Sequence, residues 1–197
     1  MQREIIPFTT EEAWLKLRTH DLTSSDVPCL FNAGYQTYEQ LFQAKLHKFQ
    51  VKIEPNERMD WGVAIQDSIA LEFARKNNWT LLKKTEYIRI PELRIGSSFD
   101  FQVTKNMLPE FILEIKNVSL DSYKQWIKGF SIEMSPYIEI QIQHQMLVSG
   151  INKCIVGALI GGCEGKLIAR EANPKIQQAI LSKSAEFWRK IDENRHS

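Results

Sequence analysis

An α/β (α+β) fold, with a central mixed β-sheet flanked by helices, is what the order of patterns in this 197-residue chain predicts. Three observations carry that expectation. Helix caps and i,i+4 apolar stripes fill the first part of the chain up to Asn78. A β-rich block, Trp79–Val118, follows, with alternating side chains and breaks at Pro91 and at a polar turn. After it come a helix, two strands joined through Gly161, Gly162 and Gly165, and a closing helix that starts near Pro174.

Taken in order, Thr9 caps the first helix, with Glu12 returning the hydrogen bond three residues on, and Trp14 and Arg18 lie one turn apart. Ser25 is placed to cap a short helix from Asp26, with Pro28 in its first turn and Gly34 at its end. Thr37 and Gln40 form a capping box for a helix reaching about Lys48. The charged stretch from Val51 to Arg58, with Pro55, is expected to be an exposed loop. A longer helix covers Met59–Asn77, with Ile65, Ile69 and Phe73 in a stripe that Trp61 and Ala70 extend, and Asn77-Asn78 as a left-handed stop. Glu86–Ile90 alternates as a strand, and Ile95–Val118 reads as two strands around a polar turn. Ser119–Ser135 is expected to be a mobile connection in which Lys124, Trp126 and Lys128 resemble a basic-aromatic nucleic-acid contact, or are simply solvated. The helix Tyr137–Ser149 stops at Gly150, and the last helix carries Ile176, Ile180, Phe187, Trp188 and Ile191.

The composition is that of an ordinary soluble globular protein, 43% hydrophobic and 25% charged, and the length suits one domain over residues 1–197. No apolar run approaches a membrane span and the N-terminus lacks a signal peptide's apolar core, so a cytoplasmic location is expected. A net charge of +1 argues against a protein that lives by non-specific DNA attraction, yet allows a local basic channel. Cys29, Cys154 and Cys163 fit neither a disulfide framework nor a zinc pattern and are expected to be buried. His47 and His144 lack metal-ligand spacing and are expected at the surface.

Within the β-rich block, alternation puts Glu114 and Lys116 on one strand face and Leu113 and Ile115 on the other. Asp100, between Phe99 and Phe101, also points away from an apolar face. Two carboxylates and an amine over a hydrophobic floor suit a divalent-metal site for phosphodiester hydrolysis. The alternative is a solvated Glu/Lys pair on a surface strand, and the chain holds a second Glu-x-Lys at Glu164–Lys166. Gln141 and Gln145 share a helix face; Gln143 and Gln145 are expected to be peripheral. Arg18 either stacks on Trp14 or clamps a phosphate.

Six motifs in one order resemble the phage lambda exonuclease and YqaJ-like recombination nucleases, of the restriction-endonuclease-like PD-(D/E)xK superfamily. They are WxxLR (Trp14–Arg18), TSSD (Thr23–Asp26), WGxxIQ (Trp61–Gln66), GSSFD (Gly96–Asp100), LEIK (Leu113–Lys116) and QIQxQMxVSG (Gln141–Gly150). The resemblance implies a PD-(D/E)xK core in which Asp100, Glu114 and the main-chain carbonyl of Ile115 hold Mg2+, with Mn2+ able to substitute. It implies that Lys116 positions or activates the attacking water, that Gln141 orients the lysine or the scissile phosphate, and that Arg18 and Ser25 receive a 5′-phosphate. Relatives commonly carry a glutamate where this chain has Gln66, so a second metal is in question here. The implied activity is 5′-to-3′ digestion of linear double-stranded DNA that leaves 3′ single strands for recombination. The implied partners are DNA ends, a phage single-strand annealing protein and two further copies in a ring-shaped trimer, in a bacterial host's cytoplasm. Another nuclease of the superfamily, such as a restriction-type endonuclease, and a weakly catalytic DNA-end-binding protein are the alternatives.

Overall fold

The computed structural model describes residues 2–49, 56–105 and 108–195. In chain order the elements are β1 (Glu4–Pro7), α1 (Glu11–Arg18), a 3-10 turn (Val27–Phe31), α2 (Tyr38–Leu46), α3 (Glu57–Asn77), β2 (Thr80–Lys83), β3 (Glu86–Ile90), β4 (Ile95–Ser97), β5 (Phe101–Lys105) and β6 (Leu108–Val118). They continue with α4 (Leu120–Trp126), the short strands β7 (Ile127–Lys128) and β8 (Ser131–Ile132), α5 (Pro136–Ser149), β9 (Lys153–Ile160), β10 (Glu164–Glu171) and α6 (Pro174–Arg195).

The main sheet has the order β10-β9-β6-β5-β2, mixed because β6 and β9 run parallel while the other neighbours are antiparallel. A second sheet, β1-β3-β4, stands beside it, and Leu22 bridges to Ile95 at its edge. Alternation along β6 splits the core in two. Leu113 and Ile115 pack under α3 with Ile69, Ala70 and Phe73, while Ile112 faces the cluster built by α5 and α6. The α/β class with a central mixed sheet flanked by helices is therefore as expected.

Local chemistry explains most of the boundaries. Thr37 and Gln40 close both arms of the capping box at α2, Asn78 ends α3 at φ 54°, and Gly150 ends α5 at φ 78°. The α1 cap is Thr10, one residue later than expected, with its hydroxyl accepting from Ala13 N at 3.2 Å. Val51–Pro55 of the expected loop lies outside the described residues, whereas Glu57 and Arg58 already belong to α3. Asn106 and Met107 also lie outside them.

Other expectations are corrected. Ile95–Val118 holds three strands, not two: β4 joins the small sheet, and Asp100 sits in the crossing between Phe99, in one core, and Phe101, in the other. Trp61 is 62% exposed, because the buried side chains of α3 are confined to Ile69–Ala74. Ser119–Ser135 contains α4 and a β7–β8 pair, and Trp126 is buried beside Tyr123 rather than free to stack on bases. Cys163, in the β9–β10 turn, is exposed, while Cys29 and Cys154 are buried. Among the described residues, no helix is long and apolar enough to cross a membrane.

Candidate active site

Glu114 is 2% exposed, a carboxylate in the middle of the main sheet on the face that α5 covers. A buried charge is tolerable only when its lone pairs are occupied, and here three donors do so. Lys116 Nζ and Gln141 Nε2 both donate to Oε1, each at 2.7 Å, and Gln145 Nε2 donates to Oε2 at 2.9 Å. Gln141 and Gln145 are one turn apart on α5, so their amides reach the two oxygens of one carboxylate. Burial works against the charge of Lys116, but Glu114 and Asp100 outweigh it and hold its pKa above the ordinary value. Lys116 is therefore an ammonium, a donor that cannot itself take up a proton.

Asp100 lies where the pairing of β5 with β6 ends, at Phe101↔Leu113. Two residues past Leu113 along that edge, Ile115 N donates to Asp100 Oδ2 at 2.9 Å in place of a strand partner, and the Gln66 amide also hydrogen-bonds this carboxyl. The N–H and C=O of one strand residue point to the same side, so the Ile115 carbonyl shares this edge. Burial first, and the Glu114 charge second, push the Asp100 pKa up to about 7, against the pull of Lys116, the Ile115 N–H and Gln66. The structure thus brings Asp100, Glu114, Lys116, Ile115, Gln141 and Gln66 together.

Whether these residues suit a divalent cation is decided by that charge balance. Two neighbouring carboxylates share one ammonium, and the second negative charge is left undercompensated, which is the condition a hard dication relieves. Oxygens of Asp100, Glu114 and the Ile115 carbonyl would hold it, with the Gln66 amide alongside. That donor set fits magnesium, which binds through one or two carboxylates and keeps several waters. Among the described residues no cluster of three or more His, Cys, Asp or Glu could hold a metal. Asp67, one residue on from Gln66, turns away to pair with Lys83 at 2.6 Å.

A second group of polar atoms surrounds Ser25. Arg18 Nη2 donates to Ser25 Oγ at 2.6 Å, Ser25 Oγ lies 3.0 Å from Thr23 Oγ1, and the Arg18 guanidinium stacks 4.4 Å from the Trp14 ring centroid. Stacking and clamping are thus compatible: the ring holds the guanidinium plane while its edge faces Ser25. Ser25 does not cap a helix. Asp26 is at the head of the 3-10 turn and its Oδ2 accepts from Thr23 N at 3.0 Å, which leaves the Ser25 hydroxyl for Arg18. Burial alone would raise the Asp26 pKa, but Lys45, 2.8 Å away, and Arg18 outweigh it and hold the carboxyl below its ordinary value. Trp14 links the two groups, since its Nε1 donates to Ser98 Oγ at 3.0 Å, two residues before Asp100.

Several side chains fall where the sequence did not place them. Gln145 is 1% exposed and holds Glu114. Gln143, also 1% exposed, donates to Glu139 Oε1 and Glu171 O and accepts from Asn173 N, fastening α5 to the link before α6. His144 is fully buried, not at the surface. The physical reason is common to all three: α5 is buried on every side, packed by α6, the 3-10 turn, β3, β4 and β9. The available signal was the run Gln141–Gln145 inside an Ile-rich helix, which requires buried partners if no face is wet. The other Glu-x-Lys, Glu164–Lys166, is an exposed ion pair at 2.6 Å.

A family model for the YqaJ-like viral recombinase domain matches residues 13–152. No curated protein matches by sequence. The fold is similar to that of LHK-Exo in complex with dAMP, with a TM-score of 0.75 and 15% identity over 94% of each chain. A second crystal structure of this alkaline exonuclease, from Laribacter hongkongensis, gives 0.73 and 16% over the same shares. A phage related exonuclease from Haemophilus somnus 129PT gives 0.65 and 11%, covering 88% of this chain and 96% of that one. At these identities the likeness establishes the fold alone, a central mixed sheet flanked by helices.

Proposed function

The chain belongs to the YqaJ-like viral recombinase domain family, and from that premise we propose that it is a magnesium-dependent exonuclease acting on linear double-stranded DNA. The reading takes residues 1–197 as one nuclease domain that digests from the 5′ end and leaves 3′ single strands for annealing-type recombination. The observation that carries it is the buried cluster in which Lys116 and Gln141 share one oxygen of Glu114 while Asp100 covers the open edge of β6.

In that reading each side chain has a stated task. Asp100, Glu114 and the Ile115 carbonyl form the cation-binding edge, and Gln66 contributes an amide oxygen without charge, which favours one metal over two. Magnesium, or manganese in its place, would supply a Lewis acid that lowers the pKa of a bound water and neutralises phosphate charge. Lys116, fixed by Glu114, orients the attacking water and donates to the oxygen on which negative charge develops. Gln141 and Gln145 keep the Glu114 carboxylate in one orientation, so that the ammonium it carries stays in place. Arg18 and Ser25 hold the terminal 5′-phosphate, the guanidinium by charge-assisted hydrogen bonds and the hydroxyl as a further donor.

The partners that go with this reading are DNA ends, a single-strand annealing protein, and further copies of the chain in a ring of three, in the cytoplasm of a bacterial host. The test is digestion of linear duplex DNA labelled at either end, with and without magnesium, beside closed circular duplex. Release of the 5′ label first, in magnesium and from linear DNA only, is the expected result. Cutting of circles would make the chain an endonuclease, and metal-dependent DNA-end binding without cleavage would make it an end-binding protein.

A further inference from the structure

We propose that Tyr35 and Tyr137 form a stacking platform for the terminal nucleobase of the strand being cut, lying between the Ser25 pocket and the Glu114 centre. The proposal deepens the nuclease reading and rests on it.

Tyr35 is 84% exposed, and its ring centroid lies 4.5 Å from that of the half-buried Tyr137. Tyr137 precedes Gln141 by one turn of α5, so the two share a helix face. Helical side chains lean toward the N-terminus, which carries the Tyr137 ring outward from the amide that holds Glu114. The Tyr137 hydroxyl feels the charges of Lys116, Glu114 and Asp26, in keeping with a position between the two centres.

Tyr35 is held from the other side. It follows Gly34, which packs so closely on the 3-10 turn that a Cβ there would lie 2.9 Å from Cys29 N and Cα. The next residue, Gln36, donates from Nε2 to Asp26 Oδ1 at 3.3 Å. The loop presenting Tyr35 is thus tied to the same turn that presents Ser25 to Arg18. Tyr35 is thus fastened to the turn that carries Ser25, and Tyr137 to the helix that carries Gln141, with the two rings in contact.

An aromatic ring at that exposure contributes little to the core, and its one ring neighbour among the described residues, Tyr137, stands one turn before Gln141 on α5. Every nucleobase has a π-face, so stacking on tyrosine is tolerant of sequence, as an enzyme that removes each nucleotide in turn requires. A base stacked there would fix the sugar of the terminal nucleotide while Arg18 fixes its phosphate, and the next phosphodiester would be directed toward Lys116.

The test uses the full chain with 5′-phosphorylated linear duplexes that carry either a normal nucleotide or an abasic residue at the 5′ terminus. The parent is expected to show a kcat/KM for the first cleavage about tenfold higher on the base-bearing end. Tyr35→Ala is expected to bring the two ends within about twofold, and Tyr35→Phe to keep the parent's ratio. A structural role for Tyr35 would slow both ends alike and leave the ratio unchanged. A 2-aminopurine at the 5′ end supplies a readout that needs no cleavage. Its fluorescence should be quenched on binding the parent and Tyr35→Phe, but not Tyr35→Ala. An unchanged ratio in Tyr35→Ala, or quenching equal to the parent's, overturns the platform. A parent that binds and quenches but cleaves nothing overturns the nuclease reading and leaves the stacking contact standing.

Discussion

Gln145 Nε2 donates to Glu114 Oε2 at 2.9 Å, on the carboxylate oxygen opposite the one that Lys116 and Gln141 share. The two residues belong to α5 and β6, 31 positions apart, and each is almost completely buried. Gln145 supplies the donor that no other described side chain gives to that oxygen, so it is a positioning residue for the centre.

Replacing Gln145 with leucine is expected to cost about 1–3 kcal/mol of stability, because Glu114 Oε2 would be left buried and unpaired. DNA hydrolysis should fall roughly 10- to 100-fold, the usual effect of removing a group that orients a metal-site carboxylate. Gln145→Glu should be worse than Gln145→Leu, since it sets a second carboxylate against the first. Urea denaturation and the rate of linear-DNA digestion check this; full activity in Gln145→Leu would remove Gln145 from the centre.

Gln66→Glu is expected to act in opposite directions with and without metal. Without magnesium it removes the amide donor from Asp100 and adds a like charge, so Tm should fall. With magnesium it adds an oxygen ligand with charge, and affinity should rise about tenfold. The magnesium-induced rise in Tm should therefore be larger in Gln66→Glu than in the parent. Equal shifts in the two proteins would place Gln66 outside the cation's reach.

Glu114 and Lys116 were legible as neighbours because strand alternation is a strict period of two, and Leu113 and Ile115 do pack under α3 as that period demands. Arg18 and Ser25 were legible as neighbours in space only through the family resemblance, since nothing local brings a helix arginine to a serine seven residues on. Gln145 and His144 were not legible, because a helix buried on all sides has no polar stripe from which to read depth. The break of Ile95–Val118 into strands of two sheets was hidden for a related reason. Alternation continues through Phe99-Asp100-Phe101 although Phe99 and Phe101 enter different cores. Tyr35 carries no sequence signal at all, because its position depends on the tight packing of Gly34 against Cys29.

His144 supplies a pH dependence of stability. Burial lowers its pKa to about 4, and neither ring nitrogen has a hydrogen-bond partner among the described residues. A base whose folded pKa lies below its unfolded value is bound to fewer protons when folded, so stability rises with pH between the two. Its contribution is fully present above about pH 6.5 and is lost as pH falls toward 4, by up to about 3 kcal/mol. His144→Leu should therefore be more stable than the parent at pH 4.5 by about 2–3 kcal/mol, with a much smaller difference at pH 7.5. Urea midpoints across that range decide it; a constant difference would mean that His144 is not buried in its neutral form.

Arg18→Ala tests the proposed phosphate pocket apart from the proposed cation edge. The guanidinium is held by the Trp14 ring at 4.4 Å and by Ser25 Oγ at 2.6 Å, so its orientation is set before any ligand arrives. Its removal leaves Asp100, Glu114 and Lys116 with all the hydrogen bonds described for them. The expected outcome is that a preference of about tenfold or more for 5′-phosphorylated over 5′-hydroxyl ends disappears, while magnesium dependence stays as in the parent. Arg18→Lys should restore only part of the preference, because an ammonium keeps the charge but neither the planar fork nor the stacking. Equal slowing on both kinds of end would assign Arg18 to general backbone attraction. Weakened magnesium dependence would show that the two groups are coupled through Trp14 and Ser98 rather than independent.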